Sequence, residues 1–240
     1  MLKTAADKWA FYDQLIALAD PGQHVVAFEA GRYWLMVVSS TGAVGLAQKP
    51  DAQPTLNPVG LSLHEVAQWV KSWDFNQAAV GLAAINAAIN AAPLAGTAAD
   101  AFDFFQERVK GRKVAVIGHF PYLHRFQPIC ELAILERNPQ PGDLPDVAAE
   151  YLLPEQDYLF VTGTTVINKT LPRLLELAPQ AVVTVVGPST PLSPLLFERG
   201  VTALAGLIAQ DSPELRRGVK ADHCEEIFKT GARKINLLKP

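Results

Sequence analysis

An imidazole follows the first long apolar run in the second half of the sequence. Gly118-His119-Phe120-Pro121 comes directly after Val114–Ile117, which is typical of a buried parallel strand. A histidine at a strand end can serve as a general acid or base, or ligate a metal. The glycine would let the backbone approach a ligand. We predict that His119 is an acid or base in a ligand site with Gly118, Phe120 and Pro121, the alternative being a structural histidine.

A carboxylate follows the next apolar run. Glu136 comes eighteen residues after Gly118, where an acidic residue often accepts hydrogen bonds from ribose hydroxyls. The alternative is a solvated strand end that pairs with Arg137. The sequence has no G-x-G-x-x-G motif, which argues against a standard dinucleotide site. Glu136 is therefore predicted to bind a ligand, with a standard NAD site disfavoured.

Two further segments combine glycine with hydroxyl groups at strand ends, Thr162–Thr170 and Gly187–Pro191. Free N–H groups at the start of a following helix can hold an anion or a carboxylate. The alternative is that Asn168 caps one helix, and that Ser189 or Thr190 caps the next. The ligand-binding residues predicted in these segments are Gly163, Thr164, Thr165, Asn168, Lys169, Gly187, Pro188, Ser189 and Thr190.

The sequence lacks the spacings that usually bind a metal ion directly. It contains no C-x-x-C, H-x-x-x-H or H-E-x-x-H motif, and its two cysteines, Cys130 and Cys224, are predicted to be reduced thiols. Asn86 and Asn90 lie four residues apart on one face of an alanine-rich segment. We predict that they serve the contact between two domains, with the alternative that Asn86 reaches a ligand held there.

The first half predicts a small α+β domain. Asp20-Pro21-Gly22 would end a helix over residues 5–19, and a capping box at Ser62–Glu65 would begin another. A third helix is expected over residues 75–92. Three short runs with turn residues between them predict an antiparallel meander, namely His24–Ala30, Tyr33–Ser39 and Ala43–Ala47.

The second half predicts a parallel sheet covered by helices on both faces. Its apolar runs are Val114–Ile117, Ile129–Leu135, Tyr158–Val161, Ala181–Val186 and Val201–Leu207. Helical segments between them are expected at Lys169–Leu177, Leu192–Arg199 and Pro213–Val219. A linker near Lys110-Gly111-Arg112 would separate domains at residues 1–110 and 111–240. Because ligands bind at the carboxyl ends of such strands, the segments near residues 118, 163 and 189 should converge at one edge of the sheet.

Composition limits the class of protein. The chain has 240 residues, of which 49% are hydrophobic and 19% charged, with a formal net charge of -3. These values predict a cytoplasmic globular protein with no surface for nucleic acid and no segment for a membrane. A mean hydropathy of +0.13 is high for a monomer and favours a homo-oligomer, most simply a dimer.

Four segments resemble the heavy-metal chelation domain family, formerly a domain of unknown function. They are Gly81–Ala87, Val116–Pro121, Thr162–Leu171 and Gly187–Leu192, and the resemblance covers nearly the whole chain. It implies an enolase N-terminal-like domain, a Rossmann-like domain and a pocket between them, and a metal ion or a metal chelate as the cofactor. The residues that match these motifs, including Asn86, are the implied site.

The sequence is compatible with three functions. The first is a small-molecule or metal-chelate binding protein, whose ligand lies at the strand-end loops between the domains. The second is an enzyme that acts on an anionic or nucleotide-like small molecule, with His119 as acid or base. The third is a non-catalytic oligomeric accessory protein.

Overall fold

The protein is a mixed α/β molecule, as predicted. The computed structural model describes residues 5–50 and 56–240. Residues 1–4 and 51–55, which fall in the predicted first domain, lie outside the described residues. The strands are β1 (Val25–Ala30), β2 (Trp34–Ser39), β3 (Val44–Gln48), β4 (Lys113–Ile117), β5 (Glu131–Glu136), β6 (Leu144–Pro145), β7 (Tyr158–Thr162), β8 (Val182–Val186), β9 (Ala203–Ala209) and β10 (Ala232–Leu238). The α-helices are α1 (Ala5–Ile16), α2 (Leu63–Gln68), α3 (Phe75–Asn90), α4 (Ala101–Phe105), α5 (Ala149–Leu152), α6 (Thr164–Ile167), α7 (Leu171–Leu177), α8 (Leu195–Glu198) and α9 (Pro213–Lys220).

The first half folds as the predicted meander, and its three strands pair antiparallel in the order β1-β2-β3. The capping box that begins α2 is present: the Ser62 hydroxyl accepts from the Glu65 N–H, and the Glu65 carboxylate accepts from the Ser62 N–H. Helix α3 lies unusually close to β3, since a Cβ on Gly45 would stand 1.9 Å from the Ala83 carbonyl oxygen. Glycine and alanine at this contact let the two backbones approach each other.

The second half is a seven-stranded sheet in the order β10-β9-β8-β7-β4-β5-β6. All neighbours in it are parallel except β9 and β10. Successive residues of β4 point to opposite faces, and both faces are covered: Val116 is buried against Phe102 of α4, while Ala115 and Ile117 belong to the core on the other face. Burial on both faces explains why the predicted strands read as continuous apolar runs.

Two strands were missing from the prediction. β6 has only two residues and one of them is Pro145, so it carries no alternating pattern. β10 contains Arg233, Lys234 and Asn236 between its apolar residues and pairs antiparallel with β9. The expected helix over residues 192–199 is confined to Leu195–Glu198, because Pro191 and Pro194 restrict the chain before it.

The two halves share one core. Side chains of α1, α3 and β3 belong to the same buried cluster as side chains of β4, β7 and β8. The buried Tyr12 of α1 donates a hydrogen bond to the Val166 carbonyl oxygen of α6 at 3.1 Å, and burial raises the pKa of its hydroxyl. The division at residue 110 stays a prediction. None of the helices within the described residues is long and apolar enough to cross a membrane.

Candidate functional site

The sheet order brings three of the predicted loops to one edge. The chain leaves β4 toward β5 and β6 on one side, while β7, β8 and β9 follow on the other, so the order reverses between β4 and β7. A cavity of about 490 Å³ opens at the carboxyl ends of these strands. The predicted residues that line it are Gly118, His119, Phe120, Pro121, Glu136, Thr164, Asn168, Gly187, Pro188 and Ser189.

His119 is held at both its backbone and its ring. Gly118 has φ +106°, which turns the chain so that the His119 N–H donates to the Glu136 carboxylate at 2.9 Å. The ring Nδ1 lies 3.2 Å from the Asp143 carboxylate, and the His119 side chain is 37% exposed. Nδ1 is thus occupied, and Nε2 has no hydrogen-bond partner among the described residues.

The Glu136 carboxylate binds two backbone N–H groups. It forms no ion pair with the Arg137 side chain, so the alternative of a strand end paired with that side chain is wrong. One carboxylate oxygen accepts from the His119 N–H and the other from the Arg137 N–H, each at 2.9 Å. The Arg137 guanidinium lies 3.6 Å from the Asp146 carboxylate instead. The carboxylate lies in the cavity wall, where it fixes the direction of two loops.

Asn168 is not the N-cap that we expected. Helix α7 begins at Leu171, two residues after the predicted start, and follows Thr170. The Asn168 Oδ1 atom accepts from the Thr170 N–H at 3.1 Å and from its hydroxyl at 2.6 Å. This contact closes a tight turn before the helix, because an asparagine side chain readily bonds the backbone two residues further on.

Ser189 and Thr190 do not cap α8 either. The Ser189 hydroxyl accepts from the Gln48 N–H of β3 at 2.8 Å, and the buried Thr190 hydroxyl has no partner among the described residues. Thr165, which was also predicted to bind a ligand, is buried and donates to the Thr162 carbonyl oxygen at 2.7 Å. Ser189 therefore joins the cavity to the small sheet, while Thr165 and Thr190 lie behind the wall.

Asn86 lies beneath the cavity and not in its wall. Its side-chain amide donates to the Leu46 carbonyl oxygen at 2.9 Å and approaches the Ser189 carbonyl oxygen at 3.4 Å. Its neighbour Asn90 donates to the Val44 carbonyl oxygen at 2.9 Å. Both asparagines thus bind backbone of the small sheet, but only Asn86 also reaches the second half, at the Ser189 loop, and Asn90 does not make the predicted contact between the halves.

Gly163 and Lys169 also lie behind the wall. Gly163 has an ordinary helical backbone, and its lack of a side chain matters because a Cβ would stand 2.6 Å from the Thr190 nitrogen. The Lys169 ammonium donates to the Ile167 carbonyl oxygen at 2.6 Å and to that of Ser72, and burial lowers its pKa to about 8. Lys169 thereby ties the cavity loop to the segment before α3.

Most of the aromatic residues in the cavity wall were not predicted from the sequence. Rings from both halves line the cavity, namely Trp34, Phe75, Phe102, Phe120, Tyr122 and Phe228. Only Phe120 was predicted, because the others come from elements that carry no motif. Aromatic rings are abundant in ordinary cores, so type and spacing alone could not have distinguished them.

An ion pair from the unpredicted strand β10 completes the wall. The Lys234 ammonium lies 2.7 Å from the Asp100 carboxylate, and it stands over the Tyr122 and Phe228 rings at 5.4 and 5.3 Å from their centres. Asp100 also begins α4, where its other carboxylate oxygen accepts from the Phe102 N–H. The charge of Lys234 is therefore balanced inside the wall.

The two cysteines differ in exposure and should therefore differ in reactivity. Cys224 is exposed at the cavity wall, whereas Cys130 is half-buried, its thiol donates to the Phe126 carbonyl oxygen at 3.2 Å, and burial raises its pKa to about 11. Since the thiolate is the reactive form, we expect iodoacetamide at pH 8 to label Cys224 at least ten times faster than Cys130. Peptide mass spectrometry over time measures both rates. Labelling of Cys130 should accelerate as the pH approaches 11, and equal rates at pH 8 would contradict the assignment.

Two family models, both described as "putative heavy-metal chelation", match this chain. One matches residues 12–89 and the other, DUF364, matches residues 100–237, which is more than half of the chain. The chain belongs to the DUF364 family.

Two solved structures of DUF364 proteins agree with this assignment, and a curated relative matches three quarters of the chain. A DUF364 protein of unknown function from Desulfitobacterium hafniense is 38% identical, with a TM-score of 0.89 over 98% of this chain and 100% of that chain. A second DUF364 structure, from Pyrococcus horikoshii, is 24% identical with a TM-score of 0.82 over 95% of this chain and 98% of the other, and shows the fold. An uncharacterised protein of Methanocaldococcus jannaschii is 28% identical over 188 residues, which are 75% of this chain and 73% of that protein.

The family description raises the question of whether side chains here could hold a bare metal ion. Structural and catalytic metal sites in proteins use three or four side-chain ligands. The described residues contain no group of three or more histidine, cysteine, aspartate or glutamate side chains that could do so. Within that part of the chain, a bare ion does not fit, and His119 Nε2 is an open nitrogen donor in the cavity wall.

Proposed function

We propose that the protein binds a flat organic metal chelate in the cavity at the carboxyl ends of β4, β7 and β8. The observation that carries this proposal is the combination of an aromatic wall with the absence, among the described residues, of a side-chain cluster that could hold a bare ion. An organic chelator would supply most of the metal's ligands, and the protein would recognise the complex by its shape and its rings.

The size and chemistry of the cavity support such a ligand. A volume of about 490 Å³ lies in the range of sites for small organic molecules, which are mostly apolar with a few polar groups. Phe120 and Phe228 offer ring faces and edges for stacking. Glu136, Asn168 and Lys234 add polar atoms that could orient the ligand.

A redox-inert chelate tests the proposal. Zinc with 1,10-phenanthroline should raise the melting temperature saturably, by an amount equivalent to about 2.7 kcal/mol at a hundredfold excess over Kd. Zinc sulfate alone and phenanthroline alone should have smaller effects. Phe228→Ala, which removes a ring from the wall, should weaken the response, while Tyr151→Ala, which removes a ring that is 85% exposed outside the wall, should not. Identical melting curves with and without the complex would refute the proposal.

A second candidate function is an enzyme that acts on an anionic or nucleotide-like small molecule, with His119 as acid or base. The contact between His119 Nδ1 and the Asp143 carboxylate favours it, because a carboxylate commonly orients a histidine that exchanges protons. Native mass spectrometry with elemental analysis of the purified protein separates the two candidates. A bound organic molecule with stoichiometric metal supports the chelate, and a bound phosphate compound without metal supports the enzyme.

We further propose that the protein is a cytoplasmic homodimer. Val147 and Tyr151, which are 70% and 85% exposed, lie four residues apart beside the sheet edge at β6 and offer apolar surface for a second copy. The free thiols Cys130 and Cys224 fit a reducing compartment. Light scattering coupled to size exclusion gives the mass in solution, and a monomer at micromolar concentration would exclude the dimer.

A further inference from the structure

The Asp143 carboxylate is buried and accepts hydrogen bonds. Its side chain is 3% exposed, and the Oδ2 atom that lies 3.2 Å from His119 Nδ1 also accepts from the Gln140 N–H at 3.0 Å. This second bond holds the carboxylate in place independently of the histidine. An ionised carboxylate can only accept hydrogen bonds, so the proton of the pair lies on Nδ1.

The position of that proton decides what the other ring nitrogen can do. A neutral imidazole with its proton on Nδ1 has an unshared electron pair on Nε2. In the structure Nε2 has no partner among the described residues, His119 is one of the residues that line the cavity, and its side chain is 37% exposed. A histidine that ligates a metal commonly donates its other N–H to a carboxylate in the same way, which fixes the ring and makes the ligating nitrogen more basic.

We propose that His119 Nε2 is the protein's ligand to the metal of the bound chelate, and that Asp143 is the positioning residue that holds the proton of the neutral ring on Nδ1, which leaves Nε2 available to coordinate. The nitrogen would displace one water molecule from an open coordination position of the complex, with no change of oxidation state. The inference rests on the proposed chelate function and assigns it a single donor atom.

The surroundings of His119 favour this assignment over other donors. Two cations of the wall are balanced, since Lys234 pairs with Asp100 and Arg137 with Asp146. By contrast, His64 uses both ring nitrogens, Nδ1 at 3.1 Å from the Ala19 carbonyl oxygen and Nε2 at 3.1 Å from the Gln68 amide. His119 therefore combines an open nitrogen, a fixed ring and a place in the cavity.

The first test needs no ligand. Nitrogen-15 NMR of the full chain at pH 9, above the ordinary range of imidazole titration, should show a protonated Nδ1 and an unprotonated Nε2 for His119. Asp143→Ala should shift the population toward the form protonated on Nε2, and Asp143→Asn, whose amide oxygen can still accept from Nδ1, should restore it. A wild-type His119 protonated on Nε2 would overturn the proposal, whatever the protein binds.

The second test uses copper(II)–1,10-phenanthroline as the probe. Pulsed EPR should detect the remote nitrogen of a coordinated imidazole in the wild-type complex, and His119→Ala should abolish that signal and weaken binding at least tenfold. Asp143→Ala should weaken binding roughly tenfold or more, in line with other residues that orient a metal ligand. The matched control is His24→Ala, which removes an exposed histidine outside the cavity wall and should leave both readouts unchanged.

The outcomes separate the inference from the function on which it rests. If the chelate stabilises the protein but His119→Ala keeps full affinity and the imidazole signal, the chelate function stands and the ligand assignment fails. If neither copper nor zinc complex binds, the chelate function itself fails. Should Asp143→Ala unfold because the Gln140 contact is lost, Asp143→Asn and His119→Ala still decide the question, since both keep an acceptor for Gln140.

Discussion

Asn86→Asp should lower the free energy of unfolding by about 3 kcal/mol at pH 7, because it places a buried carboxylate against two carbonyl oxygens. The native amide donates to Leu46 and approaches Ser189, and the side chain is 4% exposed. A carboxylate there has no hydrogen to donate, and burial should raise its pKa above the unfolded value. The folded state would then bind more protons than the unfolded one, so the deficit should shrink as the pH falls toward 4. Urea denaturation from pH 4 to 8 measures this trend.

Asn90→Asp is the matched control for that experiment. Asn90 makes the same kind of bond, to the Val44 carbonyl oxygen at 2.9 Å, but is half-buried, so water can solvate a charge at this position. We expect a loss of about 1 kcal/mol with little dependence on pH. If the two variants were equally stable at pH 7, Asn86 would not hold the Ser189 loop in the way described.

Gly163→Ala should also be strongly destabilising, by about 2–3 kcal/mol, for a steric reason. The added methyl carbon would lie 2.6 Å from the Thr190 nitrogen and 2.7 Å from the Ser189 carbonyl carbon. Neither backbone can yield without separating the loops after β7 and β8, so we also expect weaker binding of zinc–phenanthroline. Chemical denaturation and the melting-temperature shift measure the two effects.

Gly187→Ala is a control with the opposite properties: the backbone is strained for alanine, but the added methyl group has room. Gly187 has φ +111°, which alanine rarely adopts, but no atom lies within 4 Å of an added Cβ. The expected cost is about 1–2 kcal/mol of backbone strain without any collision. At Gly163 the backbone is already helical, where alanine is otherwise favourable by about 0.4–1 kcal/mol. Stabilisation by Gly163→Ala would therefore show that the two loops are not in contact.

The sequence predicts the fold well because the signals are strong and local. The meander of β1, β2 and β3 has turn residues at both connections, and the parallel strands are apolar on both faces. The carboxyl-end rule then places the loops near residues 118, 163 and 189 at one edge without any knowledge of side-chain contacts. The structure bears out that placement through the wall residues Gly118, Thr164 and Ser189.

The side-chain contacts within the site could not be predicted from the sequence. No local pattern indicates that Asp143 contacts His119. His119 follows β4, whereas Asp143 lies in the loop between β5 and β6, and only the pairing of β4 with β5 brings the two loops together. Asn168 and Ser189 have the composition of helix caps, but their side chains bind backbone in a turn and in another sheet. A polar side chain can form hydrogen bonds of similar energy with several partners, and tertiary packing determines which of these bonds forms.

Strand β10 has a consequence for how the protein acquires its site during synthesis. Lys234 and Asn236 follow every other wall residue in the chain, and backbone hydrogen bonds join Asn236 to Thr97 at 2.8 and 3.0 Å. A ribosome-bound chain that has not yet released residues 232–238 can form the parallel strands and still lack one side of the cavity. Chains made only as far as residue 231 should therefore expose the aromatic wall, and ligand capture should require residues 232–238 to have left the ribosome.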